Sequence, residues 1–325
     1  SGEPLDKEEA IKARRVEMQY FRDKGVYTKV RRQPWMKVIS TRWLDINKGD
    51  AANRNYRARL VGREIKKYHR DDLFAATPPL ESLKLILSKC AAHQHFREAA
   101  DNYIVMTNDV KRAYFNAAAT RPIFIIIPQE DREEGDEEMV GQLNVSLYGT
   151  RDAAQNWSRT VTRTMVALGF EPGQHSPCNF KHPTRGVATT VHGDDFTSTR
   201  RESDLGWLDN ELKKRFELKT EFLGPDVRRH VQQVRVLNRV ISWSEESLTY
   251  EADQRHAEIL IRELGLQDAR PVATPGARDE ANKASQVEVN AHGSIVTKED
   301  DQNNPPLKSE EATKFRALTA RANYL

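Results

Sequence analysis

Val191-His192-Gly193-Asp194-Asp195-Phe196 sets two adjacent carboxylates between the strand-like runs Val187 to Val191 and Phe196 to Thr199. Two β-rich runs joined by a tight turn read as a hairpin, with the acidic pair at its tip. Upstream, Thr107-Asn108-Asp109-Val110 closes another β-like run, Tyr103 to Asp109, so a third aspartate stands at the C-terminal end of a strand. Gly-Asp-Asp alone is ordinary turn chemistry, and an Asp after a strand is an ordinary cap. Three carboxylates gathered by one fold, however, repel each other and need cations to neutralise them. Paired Mg²⁺ ions about 3.5–4 Å apart meet that need in phosphoryl displacement, which makes Asp109, Asp194 and Asp195 the candidate metal ligands and catalytic residues.

Working outward, Glu81 to Ala92 reads as a helix with Leu83, Ile86, Leu87, Cys90 and Ala91 on an apolar stripe behind Thr77-Pro78-Pro79. Ile123 to Ile127 reads as a buried strand, and 129 to 139 as an acidic loop. Ala153 to Leu168 reads as a helix closed by Gly169, and Leu205, Leu208, Leu212 and Phe216 mark another. Strands and helices in this order imply an antiparallel sheet backed by helices, an α+β architecture. A smaller unit is expected over about 220 to 275, with strands near Val231 to Leu237 and Val240 to Trp243 and a helix from Asp253 to Leu264. The first thirty residues suit an exposed charged helix or arm, and 276 to 308 is polar enough to be a linker.

Val38 to Ile46 and Tyr56 to Val61 flank the turn signal Asn47-Lys48-Gly49-Asp50, which predicts a second hairpin. Residues 51 to 70 carry seven basic side chains, at 54, 57, 59, 63, 66, 67 and 70, against Glu64 alone. The strand period of two puts Arg57 and Arg59 on one face, either as a solvated basic edge or as a phosphate-binding one. Tyr114, five residues beyond Asp109, returns towards the carboxylate through a turn, as core or as a contact for a sugar.

The 325 residues exceed a usual single core, so two or three packed units are expected. Cys90 and Cys178 have no Cys-x-x-Cys spacing, which argues against structural zinc and a disulfide framework and for a reduced intracellular protein. No apolar run approaches membrane-spanning length, so neither anchoring nor secretion is indicated. Basic and acidic residues nearly balance, 51 against 48, so location rather than net charge carries information. A start at Ser1 and an end inside the pattern Phe315, Leu318, Ala322, Leu325 suggest a piece of something longer.

Several ordered blocks resemble the reverse transcriptase of Ty1/copia-type long-terminal-repeat retrotransposons. Tyr56-Arg57-Ala58-Arg59-Leu60-Val61 resembles that family's basic Lys-Ala-Arg-Leu-Val block, and Phe74-Ala75-Ala76-Thr77-Pro78 its Phe-Ala-Pro-Val block. Asp109 to Phe115 is similar to the first catalytic aspartate motif. Ser146-Leu147-Tyr148-Gly149 through Trp157 is similar to the Ser-Leu-Tyr-Gly-Leu-Lys-Gln-x-x-x-x-Trp block. Leu168-Gly169-Phe170, Pro177-Cys178, Phe222-Leu223-Gly224, Ala273-Thr274-Pro275 and Asn323-Tyr324-Leu325 continue the order from about residue 33 to the end.

The resemblance implies a right-hand polymerase fold. Fingers and palm would span 33–219 and a thumb 220–275. A charged arm at 1–32 would precede them, with a linker at 276–308 and, at 309–325, the start of a connection towards a ribonuclease H domain. It implies an RNA-directed DNA polymerase, a segment of a Pol polyprotein, that extends a primer on an RNA or DNA template with deoxynucleoside triphosphates. Two Mg²⁺ ions, or Mn²⁺ in their place, would be bound by Asp109, Asp194 and Asp195. Arg57 and Arg59 would meet the triphosphate, Tyr114 the ribose, and Tyr148 and Gly149 the template base and nucleotide. His192 and Gly193 would face the primer, while Arg228 and Arg229, with Arg235 and Arg239, would track duplex phosphates. The implied setting is a cytoplasmic virus-like particle or the nucleus, without membrane contact; a decayed or domesticated copy that binds nucleic acid without catalysis is the alternative.

Two departures stand out: His192-Gly193 replaces an aromatic and an aliphatic residue before the acidic pair, and Thr150-Arg151-Asp152 replaces Leu-Lys-Gln. Gly-Asp-Asp also occurs in viral RNA-dependent RNA polymerases, and Tyr114 with the surrounding blocks favours the retroelement.

Overall fold

The computed structural model describes residues 5–49, 53–65, 73–93, 102–244, 247–270 and 307–324, together with the backbone of 288–289 and 295–296. The chain divides into two compact units, one of residues 1–234 and 242–248, the other of 235–241 and 249–325.

The first unit opens with α1 (Lys7–Asp23), whose start is set by Asp6: its carboxylate accepts from the backbone N–H groups of Glu8 at 3.0 Å and Glu9 at 3.3 Å. Strands β1 (Tyr27–Arg31) and β2 (Val38–Ile39) follow, then β3 (Thr41–Asn47) and β4 (Tyr56–Gly62), α2 (Leu80–Ala91), β5 (Tyr103–Val110), β6 (Phe124–Ile125) and β7 (Met139–Leu143). Next come α3 (Ala153–Ala167), β8 (Glu171–Pro172), β9 (Asn179–Lys181), β10 (Ala188–His192), β11 (Asp195–Arg201), α4 (Glu202–Lys213) and β12 (Leu218–Leu223).

Six of these strands form one sheet in the order β12-β5-β11-β10-β9-β8. Its strand β5, second from one edge, pairs antiparallel with β11 and with the edge strand β12. Side chains alternate along β5: Ile104, Met106 and Val110 join Trp157, Val161 and Met165 of α3 and Leu205, Leu208 and Leu212 of α4 in one core. Asp109 therefore points to the other face, away from α3 and α4. Helix α3 ends where expected, at Gly169 with φ +87°, and the Phe170 N–H returns to the Met165 carbonyl at 3.0 Å.

A second sheet, β1-β7-β6-β2, and the separate β3–β4 hairpin surround another core of Met18, Phe21, Leu60, Phe115, Ile125 and Leu147. Met18 and Phe21 come from α1, so this helix is packed, not the exposed arm expected of residues 1–32. Each such buried side chain contributes about 2–3 kcal/mol of burial free energy. The acidic segment is also no free loop. Arg14 reaches Glu130 at 3.0 Å, Arg22 reaches Asp131 at 2.7 Å and Lys29 reaches Asp136 at 2.6 Å.

The strand expected over Ile123 to Ile127 shrinks to β6, and Ile126 is exposed. Ser40 separates β2 from β3 in what reads as one run. Strand β12 lies in the sheet of Asp109, so the first unit does not close at 219, and the division falls after 234.

Strands β13 (Gln233–Val236), β14 (Arg239–Trp243) and β15 (Leu248–Ala252) pair in that order, the last of them beyond the two expected. The second unit carries α5 (Arg255–Glu263), the paired β16 (Glu288–Val289) and β17 (Ile295–Val296), and α6 (Ser309–Tyr324). Asp253 opens α5 and accepts from Arg255 at 2.5 Å and Arg235 at 2.9 Å. Lys66, Lys67, Arg70, the Ala273-Thr274-Pro275 block, Leu325 and most of the 276–308 linker lie outside the described residues. No helix among the described residues is long and apolar enough to cross a membrane.

Candidate active site

The two strands that carry the aspartates are directly paired: Asp195 of β11 stands opposite Asp109 of β5, and His192 of β10 stands opposite Asp195. On the other side of Asp109, in register, is Lys219 of β12. Facing residues in an antiparallel pair share a face, so Lys219, Asp109, Asp195 and His192 form one row across the sheet. Lys219 was not singled out by sequence reasoning, because nothing local reveals that β12 pairs with β5. Its ammonium pairs with Glu221 at 3.1 Å.

The hairpin tip is a two-residue turn with Gly193 at φ +64° and Asp194 at negative φ, the pattern of a type II′ turn. A Cβ on Gly193 would meet nothing within 4 Å, so the conformation and not the space calls for glycine. Both turn carbonyls are tied down. Trp157 of α3 donates its indole N–H to the Gly193 carbonyl at 2.7 Å, and the Val110 N–H reaches the Asp194 carbonyl at 3.0 Å. The Trp157 indole, read from sequence as core, thus also fixes the turn.

Asp109 and Asp194 are exposed and Asp195 is half-buried. Among the described residues, no cationic side chain lies within ion-pair distance of any of the three. Burial, then the charges of Asp194 and Asp109, push the Asp195 carboxyl up to about 6. An electron-rich set of hard oxygen donors without a compensating cation suits a divalent metal. As placed, no group of three or more His, Cys, Asp or Glu among the described residues is gathered closely enough to hold an ion.

Tyr114 sits in a 3-10 turn over Ala113–Asn116, half-exposed, with its ring 4.5 Å from that of Tyr148. Burial and then the charge of Asp194 raise the Tyr114 phenol. Burial pushes Tyr148 up to about 12; Arg59 opposes this and Asp194 adds to it. The Arg59 guanidinium lies 4.3 Å from the Tyr148 ring centroid. The expected hairpin of β3 and β4 therefore delivers Arg59 to the tyrosines. Arg57 shares its exposed face but has no ion pair among the described residues.

Gly149 joins the hairpin to the Tyr148 turn. The Gly62 N–H donates to the Tyr148 carbonyl at 2.7 Å, Gly149 has φ +84°, and a Cβ there would stand 2.0 Å from the Gly62 carbonyl oxygen. Beyond it, the departure Thr150-Arg151-Asp152 has a structural partner. Arg121 pairs with Asp152 at 2.9 Å and with Glu64 at 2.6 Å, and the Arg151 N–H donates to Glu64 at 2.9 Å.

The remaining basic candidates are less available than expected. Arg229 pairs with Glu202, Arg235 with Asp253, and Arg239 donates to the Tyr324 carbonyl, while Arg228 is exposed.

Residues 24–247 match the family model described as reverse transcriptase (RNA-dependent DNA polymerase). The chain is 26% identical over 279 residues to the retrovirus-related Pol polyprotein from transposon TNT 1-94 of Nicotiana tabacum, which covers 83% of this chain and 20% of that relative. Two solved structures are similar at lower levels. One is the foamy viral protease-reverse transcriptase in complex with double-stranded DNA, at 12% identity and TM-score 0.44 over 80% of this chain and 38% of that one. The other is telomerase from Candida albicans in complex with a fragment of telomeric RNA, at 9% identity and TM-score 0.41 over 78% of this chain and 54% of that one.

Proposed function

The chain belongs to the reverse transcriptase family, and we propose that it is the RNA-directed DNA polymerase domain of a copia-type retrotransposon Pol polyprotein, a nucleotidyltransferase that extends a primer 3′-hydroxyl. The observation that carries this reading is Asp109 paired with Asp195 across one sheet, beside Asp194 in the adjoining turn, with no cationic side chain at ion-pair distance among the described residues. Asp109, Asp194 and Asp195 would hold two Mg²⁺ ions, with Mn²⁺ as a substitute. Bound there, such ions supply charge neutralisation, activation of the primer hydroxyl and stabilisation of the leaving pyrophosphate.

The chain's own groups do the positioning. Arg59, held over Tyr148, presents a planar guanidinium to the triphosphate, with Arg57 farther along the same face. Tyr114, beside Tyr148, is the residue that crowds a ribose 2′-hydroxyl and so selects deoxynucleotides. Tyr148 and Gly149 support the template base and nucleotide. His192 and Gly193 face the primer terminus. Arg228 tracks duplex phosphate, joined by Arg229 once it leaves Glu202. The first unit serves as fingers and palm and the strands and helix beyond it as thumb. The partners are primed RNA or DNA template, deoxynucleoside triphosphates and further Pol segments, and the setting is a cytoplasmic virus-like particle or the nucleus.

Primer extension on an RNA template with deoxynucleotides, with and without Mg²⁺, tests the reading against Asp194→Asn. Extension that needs both metal and Asp194 supports it. A folded protein that binds primer-template yet never extends it would leave nucleic-acid binding alone.

A further inference from the structure

Helix α1 precedes the matched stretch 24–247, so the family match assigns it nothing. Its Glu17 is 4% exposed, and a carboxylate so buried needs a partner. That partner is Arg112, three residues beyond Asp109: its Nε and Nη2 both donate to Glu17 Oε2, at 3.0 and 2.6 Å. The same guanidinium lies 3.8 Å from the ring centroid of Tyr20, also in α1.

Arg112 has φ 46° and ψ 51°, a left-handed conformation that a residue with a Cβ resists. It is the residue from which the Tyr114 turn springs, since the Phe115 N–H returns to its carbonyl at 2.9 Å. On the far side of Tyr114, Phe115 packs edge-on against Phe21 of α1 at 5.0 Å. One helix therefore grips the residues on both sides of Tyr114, whose ring turns to Tyr148. The helix also holds the Arg59 hairpin: Arg14 pairs with Asp45 of β3 at 2.7 Å, and the Asp6 N–H donates to the Tyr56 hydroxyl at 3.1 Å.

We propose that Glu17 of α1 is a positioning residue for nucleotide selection, holding Arg112 in its left-handed conformation and so setting the approach of Tyr114 to the incoming sugar. This rests on the reading of Tyr114 given above. A residue held against its backbone preference stays put only where its surroundings over-determine it. Here the clamp is a buried carboxylate and an aromatic ring from one helix.

The test is single-nucleotide insertion on a primed template with deoxy- and ribonucleotides. Glu17→Gln should lower discrimination against ribonucleotides by about tenfold, chiefly through a lower KM for the ribonucleotide, since a ring displaced on the ångström scale no longer meets the 2′-hydroxyl. Primer-template affinity should not change. Glycine accepts a left-handed φ without a clamp, so adding Arg112→Gly to Glu17→Gln should recover discrimination to within about threefold. Tyr20→Leu, at a half-exposed position, should give the same change at about threefold and serves if Glu17→Gln does not fold. Equal loss of deoxy- and ribonucleotide insertion with no recovery in the double variant would reduce Glu17 to scaffold and overturn the proposal. A wild-type chain without any extension would sink the polymerase reading, and amide hydrogen exchange over Ala113–Asn116 would then decide the clamp. Faster exchange in Glu17→Gln supports it and unchanged exchange overturns it.

Discussion

Two carboxylates of the first unit, Asp152 and Asp195, are both withdrawn from water, and they titrate in opposite directions. Burial pushes each of them up. At Asp152 the Arg121 guanidinium outweighs it and holds the carboxyl below its ordinary value, and Glu64 in the same group is also lowered. At Asp195 the next influences are two further carboxylates, and the carboxyl rises to about 6. One arginine, Arg121, pairs with both acids of the Asp152 group, whereas among the described residues no cationic side chain pairs with Asp109, Asp194 or Asp195. Internal compensation suits a carboxylate that serves the fold, and its lack is what the metal role proposed for the second group calls for.

Substitutions should separate the two groups. The largest effect belongs to Asp109→Asn, which should cut extension by about 10³-fold or more, in the range seen when electrostatic transition-state contacts are removed. Its unfolding midpoint in urea without metal should not fall, because the change removes a repulsion; a clear drop would place Asp109 with the structural acids. Arg121→Ala should do the reverse. Leaving Asp152 and Glu64 without their cation should cost about 2–3 kcal/mol of unfolding free energy, below the cost of breaking a fully buried pair. Insertion rates measured well below the melting transition should change much less than in Asp109→Asn.

The smallest effect is the pH dependence. The folded Asp195 pKa lies above the unfolded value of about 3.9, so folding favours the protonated form. Its penalty is absent below about pH 4, grows as pH rises through 6 and is complete at neutral pH. Asp152 and Glu64 run oppositely: their stabilisation is present above the unfolded values and lost as pH falls through the lowered folded ones. Without metal, Asp195→Asn should exceed the wild type at pH 7 by on the order of 1 kcal/mol, allowing for solvent screening. At pH 4 the difference should vanish, and a difference that stays constant would remove titration as its cause.

Features with local signals were legible in the sequence: the Asp194-Asp195 tip between two β-rich runs, the glycine after α3, the apolar stripe of α2, and the β3–β4 hairpin that delivers Arg59. What escaped depends on distant partners. Leu218 to Leu223 alternates too weakly to announce an edge strand, and its place beside β5 comes from pairing with residues more than a hundred positions earlier. The sequence of α1 is so charged that it reads as an arm, since a Glu at 17 signals burial only once Arg112 is beside it. The left-handed backbone of Arg112 has no signature in residue type. Arg229, Arg235 and Arg239 look free along the chain because Glu202, Asp253 and Tyr324 reach them only through the fold.

The bond from the Trp157 indole to the Gly193 carbonyl gives the hairpin tip an optical gauge. Indole emission responds to the loss of a hydrogen bond and to the approach of charge, and this ring is nearly sealed from solvent while bonded to the residue before Asp194. The bond thus ties a fluorescent, buried side chain directly to the turn that carries the acidic pair.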